Sequence, residues 1–433
     1  MIALLIGLII LIVFIVGGVS VAMSFGAMTI FLSIWFGIDS GLLIPTAFYK
    51  IKSVVLLTIP FFILVGGLMS TGGLAVRLID FVNSFVGRIR GGLGAVTIVA
   101  CAMFGSIGGS CSAAVAAIGT VMIPRMSEQG YSRGHATALV ACASILGQLI
   151  PPSVPMIVFA FMTYQSIPGC WLATVGPGML VIVLYVILNY IMTRKMPLKV
   201  RDRSCFSETI REIRSSTYRA GWSLLLPVIL LGGIYGGIAT PTEIACVAVL
   251  YVITISMLVY RSLTFSEVVK SLISSATTTG VLIIMVFFVM IMTRILTMEQ
   301  IPQEMASWVI TISSNKYIIL LMVNIFLLCI GMLMDDLSGT ILAAALLFPV
   351  MQEIGVHPLH FAAICGVNLG IGNVTPPTAP ILYFAGRIGD CQVEEYIKPA
   401  LILTWCGMLP ILIITTFCPD VALFLPRLFG FGG

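Results

Sequence analysis

Charged residues are scarce in this sequence of 433 residues: Asp, Glu, Lys and Arg together account for 9% of it, whereas 59% is hydrophobic. Soluble domains typically carry about a quarter charged residues, so this chain has too few to cover a water-exposed surface. Lipid admits only helices and closed barrels, because backbone polar groups must pair internally there. The long continuous apolar runs favour helices over the short alternating strands of a barrel. We therefore predict an all-α integral membrane protein.

Motifs of common enzyme classes are also missing. The sequence contains no GxSxG, HExxH or Walker A pattern, which argues against hydrolase chemistry and ATP hydrolysis within this chain. Its eleven cysteines include no CxxC pair, so we interpret them as small helix-packing residues rather than metal ligands or disulfides. We expect a protein that is not an enzyme.

The few charges that are present concentrate in one loop. Eight basic and three acidic residues lie between Arg194 and Arg219. Basic loops between spans usually stay in the cytoplasm. We therefore predict a cytoplasmic connector at 194–220 that joins a first half, 1–193, to a second half, 221–433.

An internal repeat relates these two halves. A shift of 225 residues aligns them without a gap and gives 12 identities in the 37 positions from 124 to 160. Apolar composition does not explain pairs such as His135 with His360 or Gly147 with Gly372. Self-similarity at a fixed spacing indicates a repeated structural unit, so each half should contain the same elements in the same order.

Each half contains two interrupted apolar segments. Small or polar residues interrupt the first segment of each half, and the proline pairs Pro151-Pro152 and Pro376-Pro377 interrupt the second. A proline pair breaks a helix and frees carbonyl groups, although a kink needed only for packing is the alternative. We predict re-entrant hairpins at about 91–123 and 317–350, and discontinuous helices at about 134–166 and 358–390.

Flanking charges orient the two hairpins. Arginines flank the first hairpin on both sides, whereas Lys316, Glu304 and Glu353 flank the second. Because basic flanks favour the cytoplasm, the first hairpin should enter from there and the second from outside. The halves would then be inverted repeats with both chain termini outside. Inverted repeats with matching broken helices are typical of secondary transporters that bind their substrate near the membrane midplane.

Oxygen atoms at the two breaks predict two cation sites, each facing its own hairpin tip. Freed carbonyls and hydroxyls suit a hard cation such as sodium, and a half-helix C-terminus adds partial negative charge. Close helix packing is the alternative role for the tip glycines and serines. The candidate sodium ligands are Ser106, Gly108, Ser110, Gly147, Pro151 and Ser153 in the first site, and Asp335, Ser338, Gly372, Asn373, Thr375 and Thr378 in the second.

Two further charged residues are candidates for substrate binding. Arg294 lies near the end of the apolar run 281–295, where a charge suggests function. It could bind a substrate carboxylate through two hydrogen bonds or extend its side chain to the interface. Asp335 could contribute to the site or cap a helix at the second tip. Helix N-termini near both tips would favour an anionic substrate.

Five segments of the sequence resemble the large membrane subunit of TRAP (tripartite ATP-independent periplasmic) transporters. The resemblance covers nearly the whole chain, and the motifs are specific as a set. They are FGSIGGSCSAAVAAIG (104–119), GQLIPPSVP (147–155), GGIATPTE (236–243), GMLMDDLSGTI (331–341) and NLGIGNVTPPTAP (368–380).

This resemblance implies sodium-driven import of a small organic acid across the bacterial inner membrane, by an elevator motion of a transport domain against a scaffold. It implies a periplasmic substrate-binding protein and a small four-helix membrane subunit, which we expect to be a separate chain. It also implies a substrate groove that includes Ser110, Ser153, Arg294 and Asp335. The alternative is a stand-alone ion-coupled carboxylate carrier of the inverted-hairpin type that needs no binding protein.

Overall fold

The computed structural model describes residues 2–87, 90–199, 206–313 and 315–431, without the side chains of Ser40, 206–210 and Glu212. Within these ranges the chain is helical and forms no strand. Seven helical segments in this part of the chain are long and apolar enough to cross a membrane, and a bent helix pair makes an eighth. The prediction of an all-α membrane protein is therefore confirmed.

The first half contains eleven α-helices, and a short 3₁₀ turn, Val54–Leu57, leads into the fourth. They are α1 (Ile2–Val16), α2 (Val21–Phe36), α3 (Ser40–Ile51), α4 (Thr58–Thr71), α5 (Leu74–Val86), α6 (Gly92–Gly108), α7 (Cys111–Glu128), α8 (Arg133–Ser144), α9 (Leu146–Leu149), α10 (Val154–Thr163) and α11 (Ile167–Thr193).

The connector and the second half together contain twelve α-helices in their described residues, of which α12 begins within the predicted connector, and short π-helical turns extend α13, α17 and α21. They are α12 (Phe206–Tyr235), α13 (Pro241–Thr254), α14 (Phe265–Met298), α15 (Ile301–Ile312), α16 (Lys316–Leu333), α17 (Asp336–Leu342), α18 (Phe348–Glu353), α19 (Pro358–Val374), α20 (Pro380–Gly389), α21 (Val393–Leu403), α22 (Leu409–Phe417) and α23 (Pro419–Leu428).

Helix ends in the second half follow those in the first at the 225-residue spacing. The hairpin α6–α7 turns at 109–110, and α16 turns into α17 at 334–335. The helical stretch Arg133–Leu149 has its counterpart in α19, Pro358–Val374. The sequence repeat therefore coincides with matching helix boundaries, while the opposite membrane orientation of the halves remains a prediction from their flanking charges.

Both proline pairs lie where a helix ends. The first helix ends at Leu149 and resumes at Val154 with a bend of 40°, and the second ends at Val374 and resumes at Pro380. The Pro-Pro bonds themselves are cis. A further discontinuity at Ile145, which separates α8 from α9, was not expected from the sequence.

Two helices are longer than the apolar runs that predicted them. The sequence is free of charged residues over 221–237 and 271–293, but α12 begins at Phe206 and α14 covers Phe265–Met298. In α14 the extra length begins with a capping box, in which Thr264 and Glu267 satisfy each other's backbone N–H groups. Hydropathy alone misses such turns because a capped helix continues through polar residues.

Packing gathers both hairpins and both breaks at the centre of the molecule. The first hairpin packs on α8, and α16 packs on α19. Helix α10, just after the first break, contacts α17 at the second tip, while α20, just after the second break, contacts α7. Helix α14 packs on α2, α3 and α4 at one side of this centre. Each break therefore lies beside the hairpin tip of the opposite half as well as its own.

Candidate functional site

A cavity of about 660 Å³ lies between the two hairpin tips and helices α4 and α14. This volume is within the range of small-molecule sites. Ser110 and Asp335, both predicted substrate ligands, line it from the two tips, and Val154 lines it beside the first break. Helix α4 is in backbone contact with the first tip, since a β-carbon on Gly66 would lie 3.1 Å from the Cα of Gly108.

Main-chain contacts hold the first tip against the first break. A β-carbon on Gly105 would lie 2.6 Å from the Cα of Gly147, so only glycine allows this approach. The carbonyl of Gly109 accepts a hydrogen bond of 3.1 Å from the N–H of Val154. The indole of Trp171 donates to the Ser153 carbonyl at 2.9 Å. These contacts fix the positions of the freed backbone groups at the break.

The residues predicted to bind sodium at the first site differ in their burial and in their hydrogen bonds. The Ser153 side chain is fully buried, and its hydroxyl has no hydrogen-bond partner among the described residues. Ser106 instead donates to the Met103 carbonyl at 2.6 Å within its own helix. Ser110 hydrogen bonds Ser112 at 3.0 Å and lines the cavity. Gly108, Gly147 and Pro151 are buried at the tip and the break.

Backbone contact also joins the second break to its hairpin, because Gly372 lies directly against Gly331. Next to this contact, the side chain of Asn373 is buried, and neither its oxygen nor its nitrogen has a partner among the described residues. The Thr375 hydroxyl donates to the Ile371 carbonyl at 2.6 Å. Thr378 is exposed. Asn373 therefore resembles Ser153 of the first site, as a buried polar group that no described residue hydrogen bonds.

The two tips place carboxyl groups at the cavity. Asp335 stands at the N-cap position of α17, where its side chain accepts a hydrogen bond from the Ser338 hydroxyl but makes no capping bond to the backbone. Asp336 is half-buried and lies beside Cys111 of the first tip. Both aspartates line the cavity. The tips of the two halves thus meet at this pair of acidic residues.

Arg294 is not brought to this cavity. Its side chain is exposed, and it lies 16 residues beyond Thr278, the last cavity-lining residue of α14. At 1.5 Å per residue this separation is about 24 Å along the helix. The structure thus brings Ser110 and Asp335 together at the cavity. Ser153 is buried next to the lining residue Val154 without lining the cavity itself, and Arg294 lies apart.

Sequence reasoning missed the wall contributed by α14. Lys270, Ser271, Ser274, Ser275 and Thr278 line the cavity from this helix. The available signal was the hydroxyl-rich stretch 271–279 inside an otherwise apolar run. Serine and threonine are common in membrane helices because they bond to carbonyls one turn earlier, as Thr279 does to Ser275 at 2.7 Å, so the stretch carried no specific prediction.

Two solved transporter structures resemble this fold. The Alcanivorax borkumensis YdaH transporter matches with a TM-score of 0.64 and 16% identity, over 92% of this chain and 91% of that one. Neisseria gonorrhoeae MtrF matches with a TM-score of 0.56 and 13% identity, over 88% of this chain and 85% of that one. At such low identity the likeness concerns the fold alone.

Sequence comparisons identify the family. Residues 8–421 match the model of the tripartite ATP-independent periplasmic transporter, DctM component. The chain is 40% identical to the C4-dicarboxylate TRAP transporter large permease protein DctM of Pseudomonas aeruginosa, over 87% of each chain. It is 34% identical to the sialic acid TRAP transporter large permease protein SiaM of Vibrio cholerae, over 88% of each. This multi-pass membrane transport protein belongs to the large membrane subunits of TRAP transporters.

Proposed function

We propose that this chain is a transporter subunit, not an enzyme, and that it imports a small organic acid together with sodium. The central observation is a cavity lined by two hairpin tips, each packed against a broken helix. Several relatives carry the names of acids, among them C4-dicarboxylate and sialic acid, while another is named for ectoine. A carboxylate is therefore the substrate class that we favour.

Unpaired oxygens at the breaks support sodium as the coupling ion. Ser153 and Asn373 each bury a side-chain oxygen that has no hydrogen-bond partner in the described part of the chain, and such burial is costly unless another group binds there. No cluster of three or more His, Cys, Asp or Glu side chains that could hold a metal occurs among the described residues. Carbonyl, hydroxyl and amide oxygens suit a hard cation.

The cavity presents both positive and negative groups, as binding of a carboxylate together with a sodium ion would require. Helices α7 and α17 begin at the tips, where their N-termini carry partial positive charge. Ser110 and Lys270 add hydrogen-bond donors at the cavity, whereas Asp335 and Asp336 would repel an anion. A sodium ion near these carboxylates would offset that repulsion. In this scheme the carboxylate binds well only after the cation, which couples the two fluxes.

The cavity fits the inward-facing state of an elevator. Glu267 and Lys270, in the first two turns of α14, line it. Two spans, α12 and α13, separate the basic connector from α14, so α14 starts on the same side of the membrane as the connector. In the outward-facing state the tips would slide along α14 towards Arg294. We propose that Arg294 binds the substrate carboxylate in that state only.

A complete transporter would contain two further proteins. We propose a periplasmic protein that delivers the substrate and a small four-helix membrane subunit on a separate chain, in the bacterial inner membrane, with both termini of the large subunit periplasmic. The family description, which names a tripartite periplasmic system, and the large-permease names of the relatives support this assembly.

Reconstitution into liposomes tests the proposal. The chain, its proposed small subunit and its proposed binding protein would be assayed for uptake of C4-dicarboxylates and sialic acid, with and without an inward sodium gradient. We expect uptake that requires both the gradient and the binding protein. Uptake without sodium would refute the coupling, and uptake by this chain alone would favour the stand-alone carboxylate carrier.

A further inference from the structure

A second cavity lies far from the hairpin tips, at the side of the molecule where α12 and α14 begin. Its volume is about 310 Å³, and it is lined by Arg77, Asp80, Ser216, Arg219 and Tyr260. These residues come from α5, from α12 and from the turn that follows α13. None of them belongs to the transport site described above.

Among the described residues, neither arginine of this cavity has a carboxylate partner. The Arg77 guanidinium lies 3.7 Å from the centre of the Tyr260 ring and donates to the Gly73 carbonyl at 3.0 Å. Tyr260 in turn donates to the Arg219 carbonyl at 3.0 Å. Asp80, the acidic residue in the lining, is paired with Arg125 at 2.7 Å. In the described ranges no ion pair reaches Arg77 or Arg219, so this cavity presents two positive charges to an anion.

Neighbouring aromatic residues place the cavity at the edge of the membrane. Tyr218 is 88% exposed and Trp222 is 48% exposed on α12 beside Arg219, and such residues concentrate at membrane–water interfaces. Further along the same helix, Leu225 is exposed one turn beyond Trp222. Exposed apolar residues therefore lead from the two arginines into the hydrocarbon region. A soluble anion would make no use of this apolar surface.

We propose that this cavity binds the phosphate of an anionic phospholipid, with its acyl chains lying along α12. A guanidinium matches the geometry of a phosphate through paired hydrogen bonds, and basic pockets between membrane helices on the cytoplasmic side are typical lipid headgroup sites. The lipid would connect α5, which leads into the first hairpin, with α12.

Lipid titration of the purified chain tests this site. Native mass spectrometry of the chain in neutral detergent would compare phosphatidylglycerol, phosphatidylcholine and soluble glycerol phosphate. We expect selective binding of phosphatidylglycerol that falls roughly 25-fold in the double variant Arg77→Gln/Arg219→Gln, because each basic residue near an anionic surface contributes about a fivefold factor. Arg427→Gln, which removes an exposed arginine paired with Asp420, is the matched control and should bind normally.

Two results would overturn the proposal. One is equal affinity for phosphatidylglycerol and phosphatidylcholine, and the other is saturation by glycerol phosphate at the same concentration as the lipid. Loss of the Arg77 stacking contact could unfold the double variant, so Arg219→Gln alone is the second test. Arg219 is exposed, and within the described part of the chain its side chain bonds Ser215 alone. This single variant should fold normally and bind about fivefold more weakly, and unchanged binding would contradict the site.

Discussion

Gly331 and Gly372 are in direct backbone contact: a β-carbon on Gly372 would lie 2.3 Å from the carbonyl carbon of Gly331. No residue with a side chain can occupy position 372 without separating α16 from α19. The first half uses the same device, in which Gly147 approaches Gly105. In membrane helices such small residues allow close packing, and here they bring each hairpin to its break.

Gly372→Ala should therefore disrupt the second site. The added methyl group must push α19 away from α16, and we expect sodium-driven uptake to fall at least tenfold. Overpacking should also lower the free energy of unfolding by about 1–3 kcal/mol. Uptake and thermal unfolding of the purified chain would be measured together. Gly280→Ala on α14 is the matched control, because a β-carbon there meets nothing within 4 Å. Wild-type uptake in Gly372→Ala would contradict this interpretation.

Ser153→Ala distinguishes a ligand from a structural residue. If the unpaired hydroxyl has no ligand, its removal should leave the protein equally or more stable, since a buried unsatisfied group costs about 1–3 kcal/mol. If it binds sodium, the sodium concentration for half-maximal uptake should rise. Sodium titration of uptake, together with thermal unfolding, measures both effects. Ser144→Ala is the control, because that buried hydroxyl already donates to the Ala141 carbonyl at 2.7 Å. An unchanged sodium requirement would remove Ser153 from the site.

Asn373→Ala is the corresponding test of the second break. Its amide is buried and has no hydrogen-bond partner among the described residues, and we expect a higher sodium requirement without loss of folding. Asn324→Ala is an informative contrast, since that buried amide accepts from Asn368 at 2.7 Å and donates to Thr416 at 2.9 Å, and its removal should lower stability instead. Thermal unfolding and sodium titration separate the two variants. Equal destabilisation of both would indicate that Asn373 serves packing alone.

Lys270→Gln should weaken substrate binding from the side to which the cavity opens. Lys270 lines the cavity beside Ser274, and a hydrogen bond to a charged group contributes about 1.5–3 kcal/mol, so the KM for a dicarboxylate should rise roughly tenfold or more. Efflux from substrate-loaded liposomes provides the measurement. Lys398→Gln on α21, an exposed lysine away from the cavity, is the control. An unchanged KM would exclude Lys270.

Arg294→Gln should affect the opposite side of the transport cycle. Because Arg294 lies about 24 Å from the cavity along α14, it should contact substrate only after the tips move. We expect this variant to lose uptake that depends on the binding protein but to retain substrate binding at the inward cavity, measured by isothermal titration. Normal uptake would exclude Arg294 from the substrate path, and loss of inward binding would contradict its assignment to the outward state alone.

The sequence by itself determined the class of protein and the position of its breaks. The scarcity of charged residues requires a lipid environment. Pro151-Pro152 and Pro376-Pro377 each interrupt a helix, because proline cannot donate a backbone hydrogen bond. The repeat at 225 residues likewise follows from residue identity, and the helix ends respect it. These are local properties of the chain, which neighbouring helices do not change.

Only the tertiary structure decided which polar atoms meet. Helices in lipid are apolar around their whole circumference, so periodicity does not reveal the face that turns inward. Ser106 and Ser153 therefore looked equivalent in the sequence, yet Ser106 bonds within its own helix, whereas Ser153 is buried without a hydrogen-bond partner among the described residues. Arg294 and Lys270 lie on the same helix, and only the packing of α14 against the two hairpin tips places Lys270 at the cavity and Arg294 away from it.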